Sequence, residues 1–419
     1  QNLRLLRDLL VGYEPRDFAV RFWDGSQWDA PSGTAPRFTI VAEHPGSIRA
    51  LLWPPHLITA WEAYIYGDID IQGDLLAFMR LASFLGRARR SHEALQRIAA
   101  RVEQLSNGLA PRGLHRARLS GEPHSIERDR AAIAHHYDDV PTPFYALWLG
   151  RQMVYTCGYF LQKTDDLDVA QHQKMDHVCR KLRLTPGDRL LDVGCGWGGL
   201  IMHASREYEV DAVGVTNSPT QFEWTAERIQ EGTFDGRCRV LYTDYRDVDE
   251  PGGYDAISIL EVLEHLGEAM VPAFFDKAWT LLRPGGRLLV QTITTSLTVP
   301  PPPSWSMVAA YVFPDAEPLS LVTSIRAAEE VGFEVRDIES LREHYALTLD
   351  HWLRRLDARR DEARALTDDI VYRIWRVYLA GSRHGFDTGA YNLYQYLLVK
   401  PDEGQSGTPL TRRDWYNAG

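Results

Sequence analysis

The stretch Leu190-Leu-Asp-Val-Gly-Cys-Gly-Trp-Gly-Gly199 constrains this chain more than any other. An apolar run ending in an acid and then a glycine cluster reads as a buried strand that stops at Val193 and turns at once. Glycine tolerates the positive backbone angles of so tight a turn and carries no side chain, so a ligand can lie against bare main chain at Gly194, Gly196 and Gly198. An α/β sheet holds nucleotide-like molecules at such a turn.

The spacing excludes two common versions of that turn. A phosphate-binding loop ends in Gly-Lys-Ser/Thr, and a dinucleotide loop reads Gly-x-Gly-x-x-Gly with an acid about 20 residues on. Here the glycines fall as Gly194-x-Gly196-x-Gly198-Gly199, and the next apolar run, Asp211–Thr216, ends in threonine. A short glycine cluster after Leu-Asp-Val, with Asp192 inside it and Trp197 between the glycines, resembles the first motif of the S-adenosylmethionine-dependent methyltransferases.

Strands and helices alternate on either side of it. Helical spacing over Gln171–Leu182 leads to strand Arg189–Val193, helix Leu200–Tyr208, strand Asp211–Val215, helix Thr220–Gln230 and strand Cys238–Tyr242. Strand Tyr254–Leu260, helix Ala269–Leu282, a turn at Arg283-Pro-Gly-Gly286 and strand Arg287–Thr292 continue the pattern, which predicts a parallel sheet covered on both faces. Beyond it Leu321–Val331 and Thr348–Leu366 read as helices and Ala390–Val399 as a closing strand. Nearer the start, Phe18–Trp23 and Arg37–Ala42 alternate as strands around an Asp24-Gly25 turn, and Leu75–Ile98 has helical spacing. The expected division is therefore a small α+β domain over 1–105, a Gly/Pro/Arg/Ser-rich linker over 106–128, a catalytic domain over 129–401 and a loose tail over 402–419.

A formal net charge of −11 over 419 residues argues against general nucleic-acid binding. Arginines nevertheless crowd one segment: Arg80, Arg87, Arg89, Arg90, Arg97, Arg101, Arg112, Arg116 and Arg118. That run reads either as a solvated helix face or as a patch for anionic lipid head groups. The four cysteines have no C-x-x-C spacing, nothing at the start resembles a signal peptide, and no apolar run approaches membrane-spanning length. Reduced thiols, no bound metal and a cytoplasmic location are expected.

Four further segments carry a closer resemblance: His136-Tyr-Asp138 with Met153-Val-Tyr-Thr-Cys-Gly-Tyr159; Gly214-Val-Thr-Asn-Ser-Pro-Thr-Gln221; Asp244-Tyr-Arg-Asp247; and Glu261-Val-Leu-Glu-His-Leu-Gly267. Tyr311-Val-Phe-Pro314 and His344-Tyr-Ala-Leu-Thr-Leu349 continue it. Together they resemble, in order, the cyclopropane fatty acid synthase family, which includes the mycolic acid cyclopropane synthases. The resemblance implies a Rossmann-like class I methyltransferase with a mostly parallel seven-stranded sheet. It also implies a methyl(ene) transfer from S-adenosylmethionine to the cis double bond of an unsaturated phospholipid acyl chain. Glu62–Asp68 resembles the family's lipid-handling extension, and transient contact with the inner membrane face and a homodimer through this N-terminal domain go with it.

The resemblance assigns Gly194, Gly196, Trp197, Gly198, Thr216, Gln221, Tyr245, Arg246, Tyr155, Thr156 and Glu261 to the cofactor, with Tyr159 in the same covering segment. It assigns His136, Trp305, Tyr311 and Phe313 to the acyl substrate. Family members bind bicarbonate as the base through a cysteine, a glutamate, a histidine, a tyrosine and a main-chain amide. Carried over, these are Cys157, Glu264, Tyr345 and the amide of Ile293, while the histidine position is Gln291. Glutamine donates a hydrogen bond but neither carries a charge nor shuttles a proton, so either the rate changes or the cation resolves to a methylene- or methyl-branched chain. Two other readings are a methyltransferase for a small metabolite and a catalytically idle lipid-binding protein. Glu261 and Glu264 also allow a bland role as helix-capping carboxylates.

Overall fold

The alternating segments near the start pair into a four-stranded sheet. In the computed structural model, which describes residues 2–54, 56–88, 105, 115–302 and 304–416, β1 (Phe18–Phe22) runs antiparallel to β2 (Gln27–Trp28) and parallel to β3 (Phe38–Ala42). Beside β3 lies the antiparallel β4 (Ile69–Gly73), which the sequence reading did not anticipate. Phe18 stacks on Phe38 at 5.3 Å, and Phe78 of helix Leu75–Ala88 meets Phe38 edge-on. Residues 89–98 of the expected longer helix lie outside the described residues, as do residues 106–114 of the linker and Arg89, Arg90, Arg97, Arg101 and Arg112 of the basic run.

The division into domains departs from the expected one. One compact unit takes Gln1–Ala117 together with Pro301–Val312 and Arg360–Gly385; the other takes Arg118–Pro300, Phe313–Arg359 and Phe386–Gly419. The expected domain 129–401 is thus interrupted twice. Helix Asp369–Asp387, absent from the sequence reading, belongs mostly to the first unit, where Arg373 donates to Asp70 Oδ1 at 3.2 Å and to the Tyr64 carbonyl.

The second unit is built on seven strands: β5 (Arg189–Val193), β6 (Asp211–Thr216), β7 (Cys238–Tyr242), β8 (Tyr254–Leu260), β9 (Leu282–Thr295), β10 (Glu334–Ser340) and β11 (Tyr391–Val399). Their order is β10-β11-β9-β8-β5-β6-β7, parallel from β9 to β7, with β11 antiparallel to both its neighbours. Alternate residues face two apolar layers. Val193, Val215, Ile259 and Val290 meet Phe274 and Phe275 on one face; Leu190, Ala212 and Leu289 meet Val178, Leu182 and Ile201 on the other. Each such buried aliphatic side chain stabilises the fold by about 1.5–3 kcal/mol.

Two local expectations need correction. Thr348–Leu366 is two helices, Arg342–Ala358 and Arg360–Leu366. The tail is not loose through Tyr416: Trp415 is buried against helix Leu167–Leu182, and Arg412 pairs with the buried Asp337 at 2.7 Å. An indole and an ion pair in a stretch of Gly, Ser and Pro supply the anchor that composition hides.

β6 and β7 extend the sheet to one side of β5, and β8 and β9 to the other. The chain therefore reverses its winding between β5 and β8, and a crevice opens at the carboxyl ends of these strands. Gly194, Thr216 and Glu261 all fall at that edge.

Candidate active site

The glycine turn has the shape its sequence demands. Gly194, Gly196 and Gly198 take φ of +72°, +55° and +75°. A Cβ on Gly194 would lie 2.4 Å from Val262 Cγ2, and one on Gly198 would lie 2.4 Å from Thr225 Cγ2, whereas Gly196 faces open space. A cavity bounded by Gly194, Gly196, Thr216, Asn217, Gln221, Tyr245, Arg246, Glu261, His136 and Phe313 opens from this turn. A second one, lined by Tyr155, Thr156, Trp197, Lys174 and Asp192, shares Gly194, Gly196 and Glu261 with it.

Glu261 stands where the two meet. Its residue follows β8 directly, with φ +57° in the left-handed region that favours glycine, a conformation costing about 1–2 kcal/mol. Its N–H donates to the Gln291 carbonyl of β9 at 2.6 Å, which holds the turn. Three donors end on its carboxylate: the Cys157 N–H at 2.9 Å and Gln291 Nε2 at 2.6 Å reach Oε1, and the Tyr345 hydroxyl reaches Oε2 at 2.5 Å. Burial raises the Glu261 pKa, while those donors and Lys174 act against it.

Glu264 has a different environment. It accepts from the Ile293 N–H, and its Oε2 is buried with no hydrogen-bond partner among the described residues. Burial, and then the charge of Glu261, push its carboxyl up to about 8. Glu264 therefore holds its proton at neutral pH, while the three donors that favour a charged carboxylate end on Glu261. Neither residue caps a helix through its side chain.

The expected set is thus brought together but redistributed. Cys157, Gln291 and Tyr345 converge on Glu261, which was expected to face the cofactor, and Ile293 alone serves Glu264. The Cys157 thiol lies beside Thr348 and the Gly158 carbonyl; burial, then Glu261, raise its pKa well above the ordinary value, so it is no nucleophile.

A family model described as mycolic acid cyclopropane synthetase matches residues 124–396, and a model for a domain of unknown function matches 5–86. A probable fatty acid methyltransferase of Pseudomonas putida is 35% identical over 401 residues, spanning 95% of both chains. This chain belongs to the mycolic acid cyclopropane synthetase family. Among solved structures, the cyclopropane synthase MmaA2 of Mycobacterium tuberculosis superimposes with a TM-score of 0.61 at 31% identity, covering 65% of this chain and 98% of its own. The mycolic acid cyclopropane synthase CmaA1, complexed with SAH and CTAB, gives a TM-score of 0.61 at 32% identity over 64% and 97%.

As a cyclopropane synthetase-type, S-adenosylmethionine-dependent methyltransferase, the protein has a crevice that fits its cofactor. Gly196 offers main chain with nothing in front of it, and the buried Asn217 Oδ1 has no partner among the described residues. Thr216 and Gln221, both buried at the crevice, bond each other at 2.8 Å. Thr156 accepts from Lys174 Nζ at 2.8 Å, and Tyr155 lines the second cavity. Other expected cofactor contacts are partly structural. Trp197 packs on Tyr137 and Tyr145, Tyr245 on Phe274, and Arg246 is committed to Asp244 and Asp129. Tyr159 stacks between His177 and His344, so core packing claims it.

Of the expected substrate residues, His136 and Phe313 border the cavity with rings 3.9 Å apart. Trp305 and Tyr311 belong to the other unit, where the Tyr311 hydroxyl donates to Glu62 Oε1 at 2.5 Å and Arg116 bonds the same oxygen. The chain changes unit between Val312 and Phe313.

Sequence reasoning missed two members of the site. Lys174 is buried on helix Leu167–Leu182, and burial lowers its pKa to about 8 against the pull of Glu261. Its signal was present: a lysine in register with Gln171, Met175 and Val178 on the helix's inward stripe. Gln395 donates to Gln291 Oε1 at 3.0 Å from the neighbouring strand and had no signal, since strand register is not visible locally.

Proposed function

We propose that this methyltransferase alkylates the cis double bond of an unsaturated acyl chain in a phospholipid, giving a cyclopropane. The observation that carries the reading is a half-buried, hydrogen-bonded carboxylate beside the glycine cradle, in a crevice bordered by His136 and Phe313. S-adenosylmethionine bound against Gly194, Gly196 and Thr216 supplies an electrophilic methyl carbon. An alkene is a weak nucleophile, so the residues' work is to align it, exclude water from the resulting cation and remove a proton. The names of the relatives, a fatty acid methyltransferase and cyclopropane synthases, support an acyl acceptor. The bicarbonate expected from the resemblance does not enter this proposal, because three of its expected partners, Cys157, Gln291 and Tyr345, are engaged by Glu261.

Gln291, at the position where the resemblance implies histidine, favours a second outcome on the same path: a methylene- or methyl-branched chain. Mass spectrometry of lipids from cells expressing the protein, beside empty cells, tests both. One added CH2 per acyl chain is expected for a ring or a methylene branch, which fragmentation at the former double bond separates; a saturated methyl branch adds two further hydrogens that a separate reductant must supply. No change in acyl mass, with a small metabolite methylated instead, would reject the reading. Membrane contact and pairing of two copies through the first unit are part of the proposal, tested by vesicle flotation and sedimentation.

A further inference from the structure

Three of the groups around the bicarbonate site that the resemblance implies converge on a side chain. The Cys157 N–H, the Gln291 amide and the Tyr345 hydroxyl all donate to the two oxygens of Glu261. A carboxylate matches bicarbonate in its planar O–C–O group, its single charge and its acceptor directions. Two such anions on one buried donor set would repel and share too few donors. The backbone points the same way. Glu261 holds a left-handed φ of +57°, anchored by its N–H bond to Gln291, and a non-glycine residue kept there marks a site where the surroundings over-determine the conformation.

We infer that Glu261 carries on the chain itself the anion that relatives take from solution, and that it is the catalytic base, acting without bicarbonate. This deepens the acyl-methylation reading and rests on it. The alkene's π pair becomes the new bond to the transferred methyl carbon, whose former bonding pair stays on sulfur, and the second alkene carbon is left positive. A proton of the added methyl passes to a Glu261 oxygen, and its C–H pair closes the ring; if a hydride shift first moves the cation to the methyl-bearing carbon, loss of the same methyl proton leaves its C–H pair as the double bond of a methylene branch. Glu261 gives the proton to water once product has left. Glu264 keeps the pair singly charged by holding its own proton, and Lys174, lining the same cavity, balances the charge that remains.

The test uses the full-length protein freed of carbon dioxide. Titration with carbon-13 bicarbonate, followed by NMR, is expected to show no saturable binding to the wild type. Saturable binding is expected for Glu261→Gly, in which glycine keeps the backbone angle and the donors lose their acceptor. In parallel, methylation of mono-unsaturated phospholipid vesicles should be insensitive to bicarbonate in the wild type. It should fall by roughly 100-fold or more in Glu261→Gln, the usual scale for a lost general base. Added bicarbonate should restore about tenfold or more of the rate in Glu261→Gly. Saturable binding to the wild type, a wild-type rate that needs bicarbonate, or full activity in Glu261→Gln would overturn the inference. If the wild type alkylates no acyl lipid, the functional reading fails and the binding titration alone decides whether Glu261 fills the anion site.

Discussion

Gln395 and Gln291 face each other across β11 and β9, and the Gln395 amide donates to Gln291 Oε1 at 3.0 Å. An amide whose oxygen is claimed must turn its NH2 the other way, so this pair decides that Gln291 presents a donor to Glu261. Gln395 is a positioning residue.

Replacing it by leucine should free the Gln291 amide to flip. Gln395→Leu is expected to lower kcat about tenfold, the scale of one hydrogen bond in a charged network, with little change in KM for S-adenosylmethionine. A rise in KM at constant kcat, measured by steady-state kinetics, would point to a cofactor role instead.

Tyr345→Phe removes the donor on Glu261 Oε2. A hydrogen bond to the charged form lowers a carboxyl's pKa, so its loss raises it, and Glu261 is then ionised only at higher pH. Lys174, Glu264 and the Cys157 and Gln291 donors remain around it. The acid limb of the kcat/KM profile should move up by about one pH unit, since a bond to a charged group contributes about 1.5–3 kcal/mol and its loss is partly relaxed.

Glu264 links stability to pH. Its folded pKa of about 8 lies above the ordinary value of 4.5, so its stabilising contribution is complete below about 4.5 and lost as pH rises through 8. Glu264→Gln carries no such proton. Its melting temperature relative to the wild type should therefore increase from pH 5 to pH 8, read by calorimetry; a constant difference would place the Glu264 titration in the ordinary range.

Gly194→Ala brings a Cβ to 2.4 Å from Val262 at a φ of +72°. Strain of about 1–2 kcal/mol plus a displaced Val262 at the cavity wall should weaken S-adenosylhomocysteine binding about tenfold or more by calorimetry. Unchanged affinity would remove the cradle from the cofactor site.

Gln291→His restores a group that can carry a proton beside Glu261. The ratio of cyclopropane to branched product is expected to rise, measured by lipid mass spectrometry, and an unchanged ratio would show that this position does not select the product.

Much of this was legible locally. Strand periodicity placed β5, β6 and β8 nearly to the residue, because buried parallel strands read as apolar runs bounded by glycine and acid; the edge strand β7, mostly exposed, was placed by its β-forming residues. Helix Asp369–Asp387 and β10 escaped, one because arginines interrupt its apolar pattern, among them the ion-paired Arg373, the other because its polar face blurs the alternation. The tail misled because one tryptophan outweighs a loose composition.

By itself, the sequence determined the glycine turn, the alternating layers and the roster of carboxylates, thiol, tyrosine and amides, since each depends on spacing within one element. Only the tertiary structure decided which carboxylate receives the donors. Glu261 and Glu264 are three residues apart and chemically alike, and their roles separate through a left-handed backbone at one, the register of β9 and β11, and a lysine buried on a helix far away in the chain.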